Sequence, residues 1–314
     1  RNCMKTVRSG WLIAVLLAVV TSTAAFAEAE KSDGSVSFWE KTKVMGTTDV
    51  NYNFNFNKPP NSGAVAAAPG VGNNVSTGAG SANATSYLNQ YRVFDSNANT
   101  FNIGLTEIAL ENSPTDWVTI RTDLDFGHDT VFYHSPGLGA VEFFDLQQAY
   151  IVLKTDIGNG LSFKIGKFVT LHGNEVIEAA YNNNISRGFL FNYAIPFTHT
   201  GILASYSFND WVSMDLGVVN GWNNAIDNNY AKSFHGMLTI KPVDKVTLLL
   251  GGTFGPEGND NNGNQRVIID GTLTYAAMDN LTLAINYDHG HDSSISPLMT
   301  GWQGFAVYAH WKPF

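Results

Sequence analysis

Twelve stretches of this chain alternate apolar and polar residues, most of them cleanly, and no other feature limits its fold as tightly. Leu281, Leu283, Ile285 and Tyr287 interleave with Thr282, Ala284, Asn286 and Asp288. Val118, Ile120, Thr122, Leu124 and Phe126 interleave with Thr119, Arg121, Asp123 and Asp125. Val212, Met214, Leu216 and Val218 do so with Ser213, Asp215 and Gly217, and Val50, Tyr52, Phe54 and Phe56 with Asn51, Asn53, Asn55 and Asn57. Successive side chains of a strand point to opposite faces, so each stretch reads as a strand with one apolar and one polar side. The pattern predicts strands over 44–57, 101–112, 117–127, 146–155, 161–170, 199–208, 211–221, 233–242, 246–254, 266–276, 281–289 and 303–313. Alternation over 101–112 and 146–155 is less regular, and the facing of these two stays open.

The connections sort by length. After the second, fourth, sixth, eighth and tenth strands they are short, at 113–116, 156–160, 209–210, 243–245 and 278–280. The other six, 58–100, 128–145, 171–198, 222–232, 255–265 and 290–302, are longer. A transmembrane barrel is built this way, with tight periplasmic turns and longer outer loops. A soluble sandwich has no reason to sort its loops. Trp117 and Trp211 follow short turns, and Phe208, Tyr275 and Trp311 lie near strand ends on the same side, where they would form an interfacial aromatic girdle. The expected fold is therefore all-β: an antiparallel up-and-down transmembrane barrel of about twelve strands, with fourteen as the alternative count.

Composition agrees. Charged residues make up 14% of the chain, against about 25% in soluble domains. A net charge of −9 without any basic cluster argues against a nucleic-acid partner. Lys5 and Arg8, the apolar run 11–20 and Ala25-Phe26-Ala27 form an expected signal peptide over 4–27, leaving one barrel domain over 28–314. The single cysteine, Cys3, falls outside that domain, so no thiol or disulfide chemistry is expected. After the signal, no apolar run approaches the roughly 18 residues of a membrane helix. Residues 62–87, rich in Gly, Ala, Ser and Asn, read as a flexible outer loop. The last stretch carries Phe305, Val307, Ala309 and Trp311 at alternate positions and closes on Phe314, as outer-membrane barrels do for assembly. Expected partners are outer-membrane lipid, the barrel assembly machinery through this C-terminal strand, and small solutes or ions. The pattern sets no oligomeric state.

Several ordered segments resemble a known family. They are Arg92-Val93-Phe94-Asp95 with Asn99-Thr100-Phe101; Asp145-Leu146-Gln147-Gln148-Ala149-Tyr150 with Gly160-Leu161 and Gly166-Lys167-Phe168; Gly173, Glu175, Ser186-Arg187, Pro196 and His199-Thr200-Gly201; and Asn220-Gly221-Trp222 with Asp227-Asn228-Asn229. In this order, across about 92–230, they are similar to the OmpL-like β-barrel porins. The resemblance implies an outer-membrane barrel with a pore function, and no particular substrate.

Catalytic and cofactor signatures are weak. The eight histidines show no zinc-helix or finger spacing; His289-Gly290-His291 comes nearest. Asp260-Asn261-Asn262-Gly263 lacks the remaining ligands of a calcium loop. Gly70-Val71-Gly72 does not lie between a strand and a helix. Ser205 or Ser213 with a histidine would be needed for a barrel hydrolase, and no nucleophile motif surrounds either. No enzyme activity and no cofactor are expected. The polar faces instead suggest a pore. They place Asp49, Asp123, Asp125, Asp215, Asp270 and Asp288 in the lumen, against Arg121, Lys164 and, nearer the rim, Lys241. An Arg or Lys facing lipid at midplane would cost roughly 2–4 kcal/mol, which a wet lumen avoids. The loop 171–198, with Glu175, Glu178, Arg187 and the apolar run 188–191, is the candidate constriction. The expected function is passive diffusion of small polar solutes or ions with weak cation preference. The alternatives are a closed structural or adhesive barrel and a barrel enzyme.

Overall fold

A computed structural model describes residues 38–56, 87–89, 92–139, 143–293 and 301–313. The signal segment 4–27, all but the last residue of the outer loop 62–87, the Gly70–Gly72 triplet and Phe314 lie outside the described residues. Twelve strands form one antiparallel sheet in which every neighbour along the chain is a neighbour in space. They are β1 (Thr42–Asn53), β2 (Thr100–Thr115), β3 (Val118–Phe126), β4 (Phe144–Lys154), β5 (Ser162–Val169), β6 (Thr198–Asn209), β7 (Val212–Val219), β8 (Ser233–Val243), β9 (Val246–Gly258), β10 (Asn261–Met278), β11 (Leu281–Asp292) and β12 (Gly301–Trp311). Each of the twelve alternating stretches forms a strand. A two-residue ladder, Tyr87–Leu88 with Asn97–Ala98, lies beside β1.

Four of the short connections are two-residue turns that open on an aspartate: Asp116-Trp117, Asp210-Trp211, Asp244-Lys245 and Asp279-Asn280. Aspartate and asparagine favour such turns because their side chains bond the backbone locally. The connection predicted over 255–265 is different. β9 and β10 run on beyond the other strands, and only Asn259-Asp260 joins them, with Asp260 at a positive φ of 51°. The apparent loop is the tip of a long hairpin, whose Gly, Asn and Gln content hides its pairing from an apolar–polar pattern.

No ladder joins β1 to β12 among the described residues. The sheet curls, and both edges reach the same inner segment. The 3-10 turn Ala179–Tyr181 touches β1, and the short helix Phe189–Tyr193 touches β12. The outward face is a belt of exposed apolar side chains, including Ile202, Leu216, Phe234, Leu250, Ile285 and Phe305. Soluble proteins rarely expose so continuous an apolar surface; a lipid-covered barrel wall does. Trp117, Phe208, Trp211, Tyr275 and Trp311 are all exposed around the short-turn end, as a girdle requires.

The two irregular stretches are irregular because their registers slip. The β1–β2 ladder shifts at Asp49/Val50, leaving Gly104 without a partner. Phe101 and Ile103 then face out, while Leu105, Glu107 and Ala109 face in. The β3–β4 ladder shifts at Asp123/Leu124, leaving Gln147 as the extra residue, so Asp145 and Gln148 both face in. A one-residue bulge exchanges the faces of everything beyond it, and a single period-2 template cannot follow both halves.

If the outer belt meets lipid, Ile285→Arg should destabilise the chain folded in lipid vesicles by about 2–4 kcal/mol in a urea titration. An unchanged unfolding midpoint would mean that this face is not in the bilayer.

Candidate functional site

The inward face gathers the ionisable groups. Arg121 on β3 donates through Nε to Asp123 at 2.9 Å and lies 3.6 Å from Glu111 on β2. Glu111 in turn pairs with Lys43 on β1 at 2.9 Å. Asp123 also accepts from Gln148 Nε2 at 2.5 Å. Asp125 accepts from the Tyr133 hydroxyl at 2.6 Å and from Gln147 Nε2 at 2.7 Å. Next to them Asp145 holds Lys167 Nζ at 3.0 Å, with His134 Nδ1 at 2.9 Å. Asp123, Asp125 and Asp145 are fully buried. Buried carboxylates are tolerated only when paired or hydrogen-bonded. Here the partners come from neighbouring strands and from the loop after β3.

The remaining sequence-derived candidates fall into smaller groups. Lys164 on β5 lies 4.9 Å from the ring centre of Tyr150 and 5.7 Å from that of Phe168. Asp215 on β7 accepts from Ser205 and is within electrostatic reach of Lys164. Asp49 lies over Gly104, where an added Cβ would come within 2.7 Å of its Oδ2. Asp270 on β10 and Asp288 on β11 stand directly opposite each other and are both fully buried. Lys241 is exposed at the short-turn end of β8. Counting charges strand by strand gives Asp215 no basic neighbour; the fold supplies Lys164 from across β6.

The segment 170–197 lies inside the curl. Glu175 accepts the Gly188 backbone N–H through both oxygens, at 3.0 and 2.9 Å, and the Tyr308 hydroxyl of β12 at 3.2 Å. Trp302 Nε1, also on β12, donates to the Ala194 carbonyl at 3.0 Å. Gly304 makes this approach possible, since a Cβ there would stand 2.7 Å from Leu190 Cδ2. Glu178 meets Glu107 of β2 at the other edge of the sheet. Arg187, almost fully buried, donates to the Ile177 carbonyl, lies 3.4 Å from Asp129 and covers the Phe94 ring at 4.3 Å. Around it Phe94, Tyr133, Leu190, Phe191, Phe197 and Trp222 form one apolar cluster. These residues come from four connections, so the long-loop end of the lumen is filled by inward-folded loops. Burial pushes the Asp129 carboxyl up to about 7, against the lowering pull of Arg187. Burial raises Glu175 as well, opposed by the Gly188 amide and Tyr308.

Three histidines that read as separate polar residues in the sequence come together. His199 and His235 stack with ring centres 4.1 Å apart, and His172 meets His235 edge-on at 4.9 Å. Thr253 Oγ1 lies 2.8 Å from His172 Nε2 and 2.9 Å from His235 Nδ1. Burial lowers His172 to about 3, so it is neutral and ties segment 170–197 to the wall without charge. Asp129, Tyr133 and this stack were not singled out by sequence, because their partners, Arg187 for Asp129, Asp125 for Tyr133 and one another for the histidines, lie on other elements that only folding brings near.

The Arg187–Asp129 pair should be strongly coupled to pH. An acid whose folded pKa is raised is held in its neutral form up to that pKa. Removing Arg187 takes away the group that lowers Asp129, so in Arg187→Met the carboxyl stays protonated at acid pH and the loss is small. The loss grows as pH rises above about 7, where the wild-type pair is ionised, toward the about 3–5 kcal/mol of an unpaired buried carboxylate. Limited proteolysis of segment 170–197 should be faster in the variant at pH 8.5 and nearly unchanged at pH 5.5. Equal rates at both values would sever Asp129 from the effect.

Residues 41–313 match the family model described as putative beta-barrel porin-2, OmpL-like. The match takes the likeness visible over 92–230 across the whole sheet. Comparison with curated proteins gave no match.

Proposed function

Because the chain belongs to this family of β-barrel porins, we propose that it is an outer-membrane channel for small polar solutes or ions, narrowed at its long-loop end by segment 170–197. The observation that carries this reading is the position of that segment. It is held to β12 through Tyr308 and Trp302 and to the loop after β3 through Arg187–Asp129. A loop anchored across the lumen from wall to wall sets the width of any path through it. Family membership also supports a non-enzymatic role. Export by the 4–27 signal and assembly through β12 belong to the same proposal.

Selectivity follows from which charges meet water. Asp123, Asp125, Asp270 and Asp288 are fully buried, whereas Asp49, Glu111, Arg121, Lys164 and Asp215 are only partly so. Arg121 is shared between Asp123 and Glu111, and Lys164 faces Asp215. The excess negative charge in contact with the lumen is small, so cation preference should be weak and should fade as salt shortens the Debye length from about 30 Å at 0.01 M to about 3 Å at 1 M. A second reading, a closed structural or adhesive barrel, is favoured by the full burial of those four carboxylates and by the apolar cluster at the loop end.

Planar-bilayer recordings separate the two. Deleting 176–190 should raise single-channel conductance, and Asp49→Asn with Asp215→Asn should shift the reversal potential in a KCl gradient toward zero. A protein that folds but conducts neither before nor after the deletion is the closed barrel. An anion-selective wild type would refute the charge assignment.

A further inference from the structure

The inward wall of β10 and β11 carries a patch of oxygen atoms that no donor among the described residues satisfies. Asp270 and Asp288 stand opposite each other, and two residues along the ladder, on the same face, Thr272 stands opposite Asn286. All four side chains are at least 98% buried. Asn286 Nδ2 donates to Asp270 Oδ2 at 2.8 Å and to the Gly271 carbonyl at 3.2 Å. Asp270 Oδ1, both oxygens of Asp288 and the Thr272 hydroxyl make no hydrogen bond within 3.5 Å among the described residues. Asp123 has Arg121 and Gln148 for partners, and Asp145 has Lys167. No base stands beside Asp288 among the described residues, and the Asn286 amide that approaches it is already bonded to Asp270 and the Gly271 carbonyl.

We propose that Asp270, Asp288 and Thr272 form a binding site for a hard divalent cation of the calcium class. Two adjacent buried carboxylates need compensation, and a proton shared between them would remove one charge only. It would also engage just two of the unsatisfied oxygens, leaving a third carboxylate oxygen and the Thr272 hydroxyl without a partner. A divalent ion neutralises both carboxylates and takes all the oxygens as ligands. The donors are oxygen alone, from two carboxylates and one hydroxyl, which suits calcium better than zinc or copper. Calcium accepts six to eight oxygens at about 2.3–2.6 Å in irregular geometry, so water and backbone carbonyls can complete the shell. The site would tie β10 to β11 at the face where Tyr308 of β12 approaches both aspartates electrostatically. It would also take both carboxylates out of the charge that a permeating ion feels. The inference is independent of whether the barrel conducts.

The test uses the exported chain purified in detergent and stripped with a chelator. Terbium chloride should give luminescence on excitation of the aromatic residues, with Tyr308 as the near donor, and excess calcium chloride should displace it. Calcium should also raise the temperature at which the unboiled, compact band is lost on SDS gels. Asp288→Asn and Asp270→Asn should each weaken terbium binding at least tenfold, while Asp156→Asn, on an exposed turn, should leave it unchanged. A wild-type chain with no saturable terbium signal and no calcium-dependent shift would overturn the proposal and leave the pair sharing a proton. Wild-type binding that Asp288→Asn and Asp270→Asn retain at full strength would overturn it equally. Should either variant fail to fold, Thr272→Val, which keeps both carboxylates and removes one oxygen, should weaken terbium binding in their place, and full-strength binding in it would overturn the proposal.

Discussion

The outward face of the sheet is apolar, as a barrel wall set in lipid requires, and the rest of the interior follows from that constraint. In hydrocarbon, backbone N–H and C=O groups must be satisfied within the protein, which long antiparallel ladders accomplish. Charged side chains on the same strands cannot share the lipid face without a penalty of several kcal/mol each. They turn inward, and the inside of the curl becomes crowded with carboxylates. Those carboxylates then need partners of their own. The chain supplies them from adjacent strands, as Arg121 for Asp123, and from loops, as Tyr133 for Asp125.

A curl of twelve strands is wider than wall side chains alone can fill, and the loops occupy the difference. Segment 170–197 does so with two kinds of contact. Polar anchors fix its position: Glu175 with Tyr308, Ala194 with Trp302, and Arg187 with Asp129. The apolar cluster around Phe94 and Phe191 excludes water from those anchors, and in a low-dielectric setting each polar contact then counts for more. Removing one member of a buried pair is costly for the same reason. The loop end is accordingly the drier half of the lumen, while the short-turn half, with Lys43, Glu111, Arg121, Lys164 and Asp215, keeps more contact with solvent.

The candidate site was only partly legible in the sequence. Alternation places Asp123, Asp125, Asp215, Asp270 and Asp288 on the inner face, because facing is a local property once a strand is regular. Which charge meets which is not local. Lys164 and Asp215 are two strands apart, and Arg187 and Asp129 sit on loops far apart in the chain. The loop 171–198 betrayed its inward course by mixing Glu175 and Arg187 with the apolar run 188–191, a mixture that an outer cap would share. Its anchors, Tyr308 and Trp302, read as ordinary members of an alternating last strand.

By itself the sequence determined that this is an all-β wall of about twelve strands, because period-2 alternation and turn residues are carried by near neighbours in the chain. It could not locate the bulges at Gly104 and Gln147, since one extra residue shifts the pattern without changing its composition. It could not show that 255–265 pairs as a hairpin, since its Gly, Asn and Gln residues carry no apolar–polar alternation. Only the tertiary structure decided which inward carboxylates are buried. Burial depends on the width of the curl and on which loops fold into it, and both arise from contacts between residues distant in sequence. Asp123, held by Arg121 and Gln148, and Asp288, beside which no base stands among the described residues, carry the same side chain on the same inner face, yet their surroundings give them opposite needs.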